Sequence, residues 1–383
     1  MIYLDHNATT PPLPEVVDAV ADCLRSGWAN PSSKHGFGQQ ARAALAAARA
    51  EVAVLAGAQP VEVVFTSGAT EANHQALNGA LARAGAPPRV LLSATEHSGF
   101  LRAALRLREV GIEVDLLPVD AQGLLDPDAL HEALRRPAAL LSVMAANNET
   151  GVLQPVADIA ALARAAGMPF HVDATQMAGK QALDFTGWGV DLMSMSAHKF
   201  GGPKGCGALV MRKGLVWPSL LTGQQERGRR GGTENMPGIA GFAVAARHAR
   251  AALPSEAPRL AALRGALEAA LLETVPGVVL FGAGAPRLPN TLMLAIAGQS
   301  ADRVLDRLER EGIFASSGAA CSSGGSEPSH VLRAMGVPAA LAQGAVRLSL
   351  GRDTDAEHVA RVVHVLRALQ AQPEPAELAA SVS

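Results

Sequence analysis

Seven short apolar runs dominate the first half of the chain: Val61 to Phe65, Val90 to Ser93, Ile112 to Leu117, Ala139 to Ala145, Pro169 to Asp173, Asp191 to Ser196 and Ala208 to Met211. Each has the length of a strand, and most are separated by stretches of helical periodicity, which join strands by crossovers rather than hairpins. A chain patterned this way folds as α/β around a large, mostly parallel sheet. From about Gly238 to Thr274 the pattern turns helical, with an i, i+3, i+4 apolar stripe. Signals of a smaller α+β unit follow at Asn290 to Ile296, Ala301 to Glu311, Val346 to Leu350 and Ala356 to Leu369. The boundary is placed near Leu253-Pro254-Ser255, giving a large domain over residues 14–254 and a small one from 1–13 and 255–383. The tail from Gln372 onward is short and polar or small, and is expected to fray.

With 383 residues, 49% of them hydrophobic, the chain can bury a large core. Its net charge of −2 carries no basic field, so no nucleic-acid partner is expected. No apolar stretch reaches the roughly 20 residues that span a bilayer. Met1-Ile2-Tyr3-Leu4-Asp5-His6 lacks the order of a signal peptide, so the expected location is cytoplasmic, without membrane contact. The three cysteines, Cys23, Cys206 and Cys321, are far apart and form no Cys-x-x-Cys pair. They read as neither a disulfide framework nor a metal site.

In an open parallel sheet, ligands gather at the carboxyl ends of strands. The run ending at Ser196 is followed by Ala197-His198-Lys199 and then Gly201-Gly202-Pro203, which places Lys199 at a strand end before a turn. Partial desolvation there favours a lysine that loses its proton and attacks a carbonyl. After Phe65 comes Thr66-Ser67-Gly68-Ala69-Thr70-Glu71, a glycine turn opening a helix, where free N–H groups attract phosphate. Other strands end in Thr95-Glu96-His97, in Asn147-Asn148, and in Asp173 followed by Gln176. An imidazole to stack on a ring, amides for a phenolate, a carboxylate for a pyridinium and an amine for an aldehyde together describe pyridoxal 5′-phosphate.

The blocks around these residues stand in an order that resembles the cysteine desulfurases of the NifS/IscS group. They are Leu4-Asp5-His6-Asn7-Ala8-Thr9-Thr10-Pro11, Phe65 to Glu71, Thr95-Glu96-His97, Asn147-Asn148-Glu149, His171 to Gln176, Ser196-Ala197-His198-Lys199, Gly231 to Asn235 and Ser316 to Cys321. The resemblance implies pyridoxal-phosphate fold type I, aspartate aminotransferase-like, as a homodimer that turns L-cysteine into L-alanine and an enzyme persulfide. It assigns the cofactor's Schiff base to Lys199, the ring nitrogen to Asp173, and stacking and proton transfer to His97. Ala69, Thr70, Ser196 and His198 would bind the phosphate, with Thr233 reaching it from the partner subunit. Asn148 and Gln176 would bond the phenolic oxygen, and Asn7 and Arg347 the substrate carboxylate, with Arg352 a competing choice. Cys321 would carry the sulfur to an acceptor protein or small thiol. Its surroundings, the Ser, Gly and Ala run of 316–329, read as a mobile loop. Cys23 and Cys206 read as quiet packing residues. A selenocysteine lyase or an aminotransferase would share the scaffold. The C-terminal segment does not resemble the longer tail with which housekeeping members meet an iron–sulfur scaffold, which leaves scaffold docking open.

Overall fold

The computed structural model describes residues 1–83, 85–317 and 328–370. A first strand, β1 (Ile2–Tyr3), precedes seven that form the main sheet: β2 (Val63–Thr66), β3 (Arg89–Ser93), β4 (Glu113–Leu117), β5 (Leu140–Ser142), β6 (Phe170–Asp173), β7 (Leu192–Ser196) and β8 (Gly207–Met211). Their order is β2-β8-β7-β6-β5-β3-β4, and β8 alone runs against its neighbours. Apart from two exposed positions and one half-buried position in β4, every residue of these strands is buried, as a sheet covered by helices on both faces requires. One apolar cluster, with Phe65, Leu141, Phe170, Met193 and Phe242, fills one face. A second, with Leu77, Leu92, Phe100 and Leu209, fills the other.

The smaller unit has a four-stranded antiparallel sheet built from β9 (Val278–Leu280), β10 (Thr291–Ile296), β12 (Ser316–Ser317) and β13 (Val346–Ser349), in the order β12-β13-β10-β9. Beside it, β1 pairs in parallel with β11 (Ile313–Phe314), which ties the chain start to this unit. The 39-residue helix Met236–Thr274 joins the two units. Its first half packs Ile239, Phe242 and Ala246 into the main core, and its second half packs Leu260, Leu267 and Leu271 into the small one. Pro254 and Pro258 lie inside it, so the segment read as a boundary is helical.

Candidate active site

The carboxyl ends of the parallel strands open into a cleft of about 450 Å³, within the range that holds small-molecule ligands. It brings together nine of the expected residues: Ala69, Thr70, His97, Asn148, Asp173, Gln176, Ser196, His198 and Lys199. At one end, β2 turns through Ser67-Gly68 into the helix Ala69–Leu81, whose first turn has no side-chain cap. Its N–H groups and dipole therefore face the cleft ready for an anion. The turn is held tight by β8: a Cβ on Gly207 would come within 2.6 Å of Gly68 Cα and of the Met195 carbonyl, so only hydrogen fits there. Ser196, at the end of β7, is buried beside this turn. Burial, with Lys199 and Lys204 adding to it, lowers His198 to about 4, so its imidazole is a neutral donor at pH 7.

Asp173 ends β6 with both oxygens engaged: Oδ2 accepts from Asn73 Nδ2 at 2.7 Å and Oδ1 from the Thr175 N–H at 2.9 Å. These donors hold the carboxylate in one orientation in the floor of the cleft. His97 caps the helix Ser98–Arg106 with Nδ1, which accepts from the Gly99 N–H at 3.2 Å. Burial lowers its pKa, assisted by Lys199 and Arg102 and opposed by Asp173, so this ring too is neutral. Lys199 lies one short turn beyond β7, and its Nζ donates to the carbonyls of Asn7 at 2.7 Å and Ala8 at 2.9 Å.

Asn7 and Arg347 lie behind the lining. Asn7 is buried, with Nδ2 donating to Thr291 Oγ1 and the Asn148 carbonyl, and Oδ1 accepting from Lys180 and Asn290. Arg347 is buried too; it pairs with Asp5 at 2.6 Å and donates to the Asn148 carbonyl at 2.9 Å, while its Nε has no hydrogen-bond partner among the described residues. Arg352 instead is exposed and lies 3.5 Å from Asp353. Thr233 is exposed and outside the cleft lining. Cys321 and the rest of 318–327 lie outside the described residues, as does the tail 371–383. Cys206 is buried and pushed up to about 12 by that burial, while Cys23 is half-buried on the helix Pro14–Ser26.

Four neighbours were missed in the sequence. Asn73, which orients Asp173, stands four residues after Ala69 on the same helix face, a spacing that could have found it. Glu96 is fully buried, and burial and Asp173 raise its pKa well above the ordinary value, which favours its neutral form. Glu149 and Lys180 are also buried, with no local signal that separates them from surface residues.

A model of the aminotransferase class-V family matches residues 2–362. The chain is 44% identical over 382 residues to a cysteine desulfurase of Rhodobacter capsulatus, covering 99% of each. It is 40% identical over 367 residues to the cysteine desulfurase IscS of Dictyoglomus turgidum, covering 95% of this chain and 93% of that one. Among solved structures, a NifS-like protein matches with a TM-score of 0.88 at 33% identity, covering 97% of this chain and 99% of that one. SspA in complex with cysteine matches at 0.82 and 33%, covering 91% and 99%. Fold and cleft thus define a pyridoxal-phosphate enzyme of fold type I. The chain belongs to the aminotransferase class-V family, and its place there is among the cysteine desulfurases.

The residues present fit that cofactor. An uncapped helix N-terminus with Ser196 and a neutral His198 suits its phosphate, and a fixed Asp173 suits a protonated ring nitrogen. Asn148 Oδ1 is buried at the cleft wall without a partner among the described residues, so this amide is available to a ligand.

Proposed function

We propose that the chain removes sulfur from L-cysteine, releasing L-alanine and leaving a persulfide on Cys321, with the roles that follow. One observation supports this most: both described ends of the segment that contains Cys321 are fastened beside the cleft. Ser316 and Ser317 pair with Arg347 and Val346. At the other end, Ser329 donates to buried Glu149, and the His330 ring bonds the carbonyl of Glu96, next to His97, at 2.9 Å.

Bound pyridoxal phosphate supplies an electron sink for the pair left on the substrate α-carbon. Asp173, fixed by Asn73, keeps a proton on the ring nitrogen, and His97 covers the ring face. Ala69, Thr70, Ser196 and His198 hold the phosphate, while Asn148 and Gln176 border the phenolic oxygen. Arg347, whose Nε has no partner among the described residues, and Asn7 behind it favour the substrate carboxylate; Arg352 lies instead beside Asp353. The freed Lys199 amine, or His97, takes the α-proton. Cys321, as a thiolate, forms a bond to the substrate sulfur while the carbon–sulfur bond breaks, and the carbon fragment is protonated to alanine.

The active form is a homodimer in which Thr233 reaches the partner's phosphate site. Exposed apolar side chains support this: Trp28 and Phe37 stack at 6.1 Å with most of their surface open, and Val17 and Leu24 on the preceding helix are exposed as well. The division into residues 14–254 and 1–13 plus 255–383 is kept, each with its own core. The sulfur passes to an acceptor protein or small thiol in the cytoplasm; no helix among the described residues is long and apolar enough to cross a membrane.

The test is Cys321→Ser. It should bind the cofactor and change its absorbance on adding L-cysteine, yet form essentially no alanine or sulfide, because a serine hydroxyl neither ionises near pH 7 nor forms a persulfide. In the parent, mass spectrometry should find the added sulfur on the Cys321 peptide. Near-normal alanine production by the variant, or sulfur on Cys23 or Cys206, would overturn the reading.

A further inference from the structure

Lys180 has no role in the chemistry above, yet it is buried against the back of the site and forms no ion pair with any Asp or Glu among the described residues. Its Nζ donates to Gln176 Oε1 at 2.8 Å and Asn7 Oδ1 at 3.1 Å. Gln176 and Lys180 stand four residues apart, so both project from one side of the turn that follows Asp173. Burial, then the nearby cations Lys199 and Arg347, lower its pKa far below that of an ordinary lysine.

An amine offering N–H groups at this point decides how two amides lie. Gln176 must turn its oxygen to Lys180, which leaves its Nε2 to donate to the Asn7 carbonyl at 2.9 Å. Asn7 must likewise turn Oδ1 to Lys180, which aims its Nδ2 at Thr291 and the Asn148 carbonyl. The Asn7 carbonyl so placed also accepts from Lys199. Reversing the Gln176 amide would set its oxygen against that carbonyl, acceptor to acceptor, and push it out from under Lys199. We propose that Lys180 is a positioning residue that orients the Gln176 and Asn7 amides and, through the Asn7 carbonyl, holds Lys199 in place. The inference rests on the reading of Lys199 and Gln176 as cofactor contacts.

Lys180→Met replaces a buried amine by an apolar chain of similar length, so the fold should survive, as a melting curve would show. The variant should release pyridoxal phosphate about tenfold more readily, 1.4 kcal/mol, measured without substrate from the visible absorbance on dilution. Lys180→Gln, which keeps an uncharged N–H donor, should regain most of that affinity. If the effect runs through the amide, Lys180→Met combined with Gln176→Leu should lose little more than Gln176→Leu alone. Additive losses, an unchanged Lys180→Met, or no recovery in Lys180→Gln would overturn the positioning role. Borohydride labelling of the parent checks the underlying reading separately: a label on Lys199 upholds it, and a label on Lys180 overturns both.

Discussion

Replacing Glu149 by Gln should make the protein more stable at pH 8 and change it little at pH 5. Glu149 is buried, and its carboxyl accepts from the Ser329 hydroxyl. Burial raises its pKa from 4.5 to about 7, against the lowering effects of Ser329 and Arg347. The native state therefore keeps a proton that the unfolded chain has already released between those two values. Where the native state binds more protons than the unfolded one, stability falls as pH rises. The loss starts near pH 4.5, grows through the interval, and is complete above about 7. An interval of about 2.5 pH units at 1.36 kcal/mol each gives on the order of 3 kcal/mol. Glutamine cannot ionise, and its Oε1 can still accept from Ser329, so it removes this pH-dependent cost. With an unfolding entropy of roughly 2.1 cal/mol/K per residue, the chain changes by about 0.8 kcal/mol per degree, and the gain at pH 8 is about 4 °C. Matched melting curves of parent and Glu149→Gln at pH 5 and pH 8, at one scan rate, measure it. A difference in Tm that does not grow with pH, or that grows in the opposite sense, would refute the burial argument.

Glu226→Ala should cost about 3–5 kcal/mol, because it strands the buried Arg49 guanidinium that Glu226 grips through two contacts of 2.6 Å and removes the acceptor of the Phe65 N–H. Denaturant titration checks it, and a loss under about 1 kcal/mol would mean that water replaces the carboxylate. Cys206, with its thiol raised to about 12 by burial, should stay unreactive to thiol reagents in the native protein at pH 8 and react at once on unfolding. Cys206→Ser should keep its desulfurase activity; a dead but folded variant would show that this thiol does more than pack.

The main sheet was legible because most of its strands, the edge strand β4 excepted, are apolar runs buried on both faces and bounded by turn residues, a pattern that belongs to a covered parallel sheet. The ends were less so. The run Ala139 to Ala145 reads as one strand; the regular strand covers only Leu140–Ser142, although the N–H groups of Val143 and Ala145 still bond the carbonyls of His171 and Asp173 before the chain turns at Asn147, whose side-chain oxygen bonds the N–H groups of Glu149 and Thr150. Pro254 reads as a break, since proline lacks an N–H and crowds the preceding turn. In the structure the helix runs through it, held by one core on its first half and another on its second.

The site divides along the same line between local and distant causes. Thr70, His97, Asn148, Asp173 and Lys199 stand where strands end, so the rule that ligands collect at carboxyl ends finds them without any knowledge of packing. Lys180 cannot be found that way: after Gly179 it has the local look of a solvated lysine, and it is buried against Asn7, which lies 173 positions away, is itself bonded by Asn290, and reaches it only when the first strand pairs inside the small unit. The choice between Arg347 and Arg352 has the same origin. Both stand in one short run, but Arg347 belongs to β13, flanked by β10 and β12, and is buried against Asp5 and Asn148, whereas Arg352 follows the strand and stays exposed beside Asp353. What buries one arginine and leaves the other in solvent is the set of groups packed against the strand, and Asp5 and Asn148, which hold Arg347, lie 342 and 199 positions away in the chain.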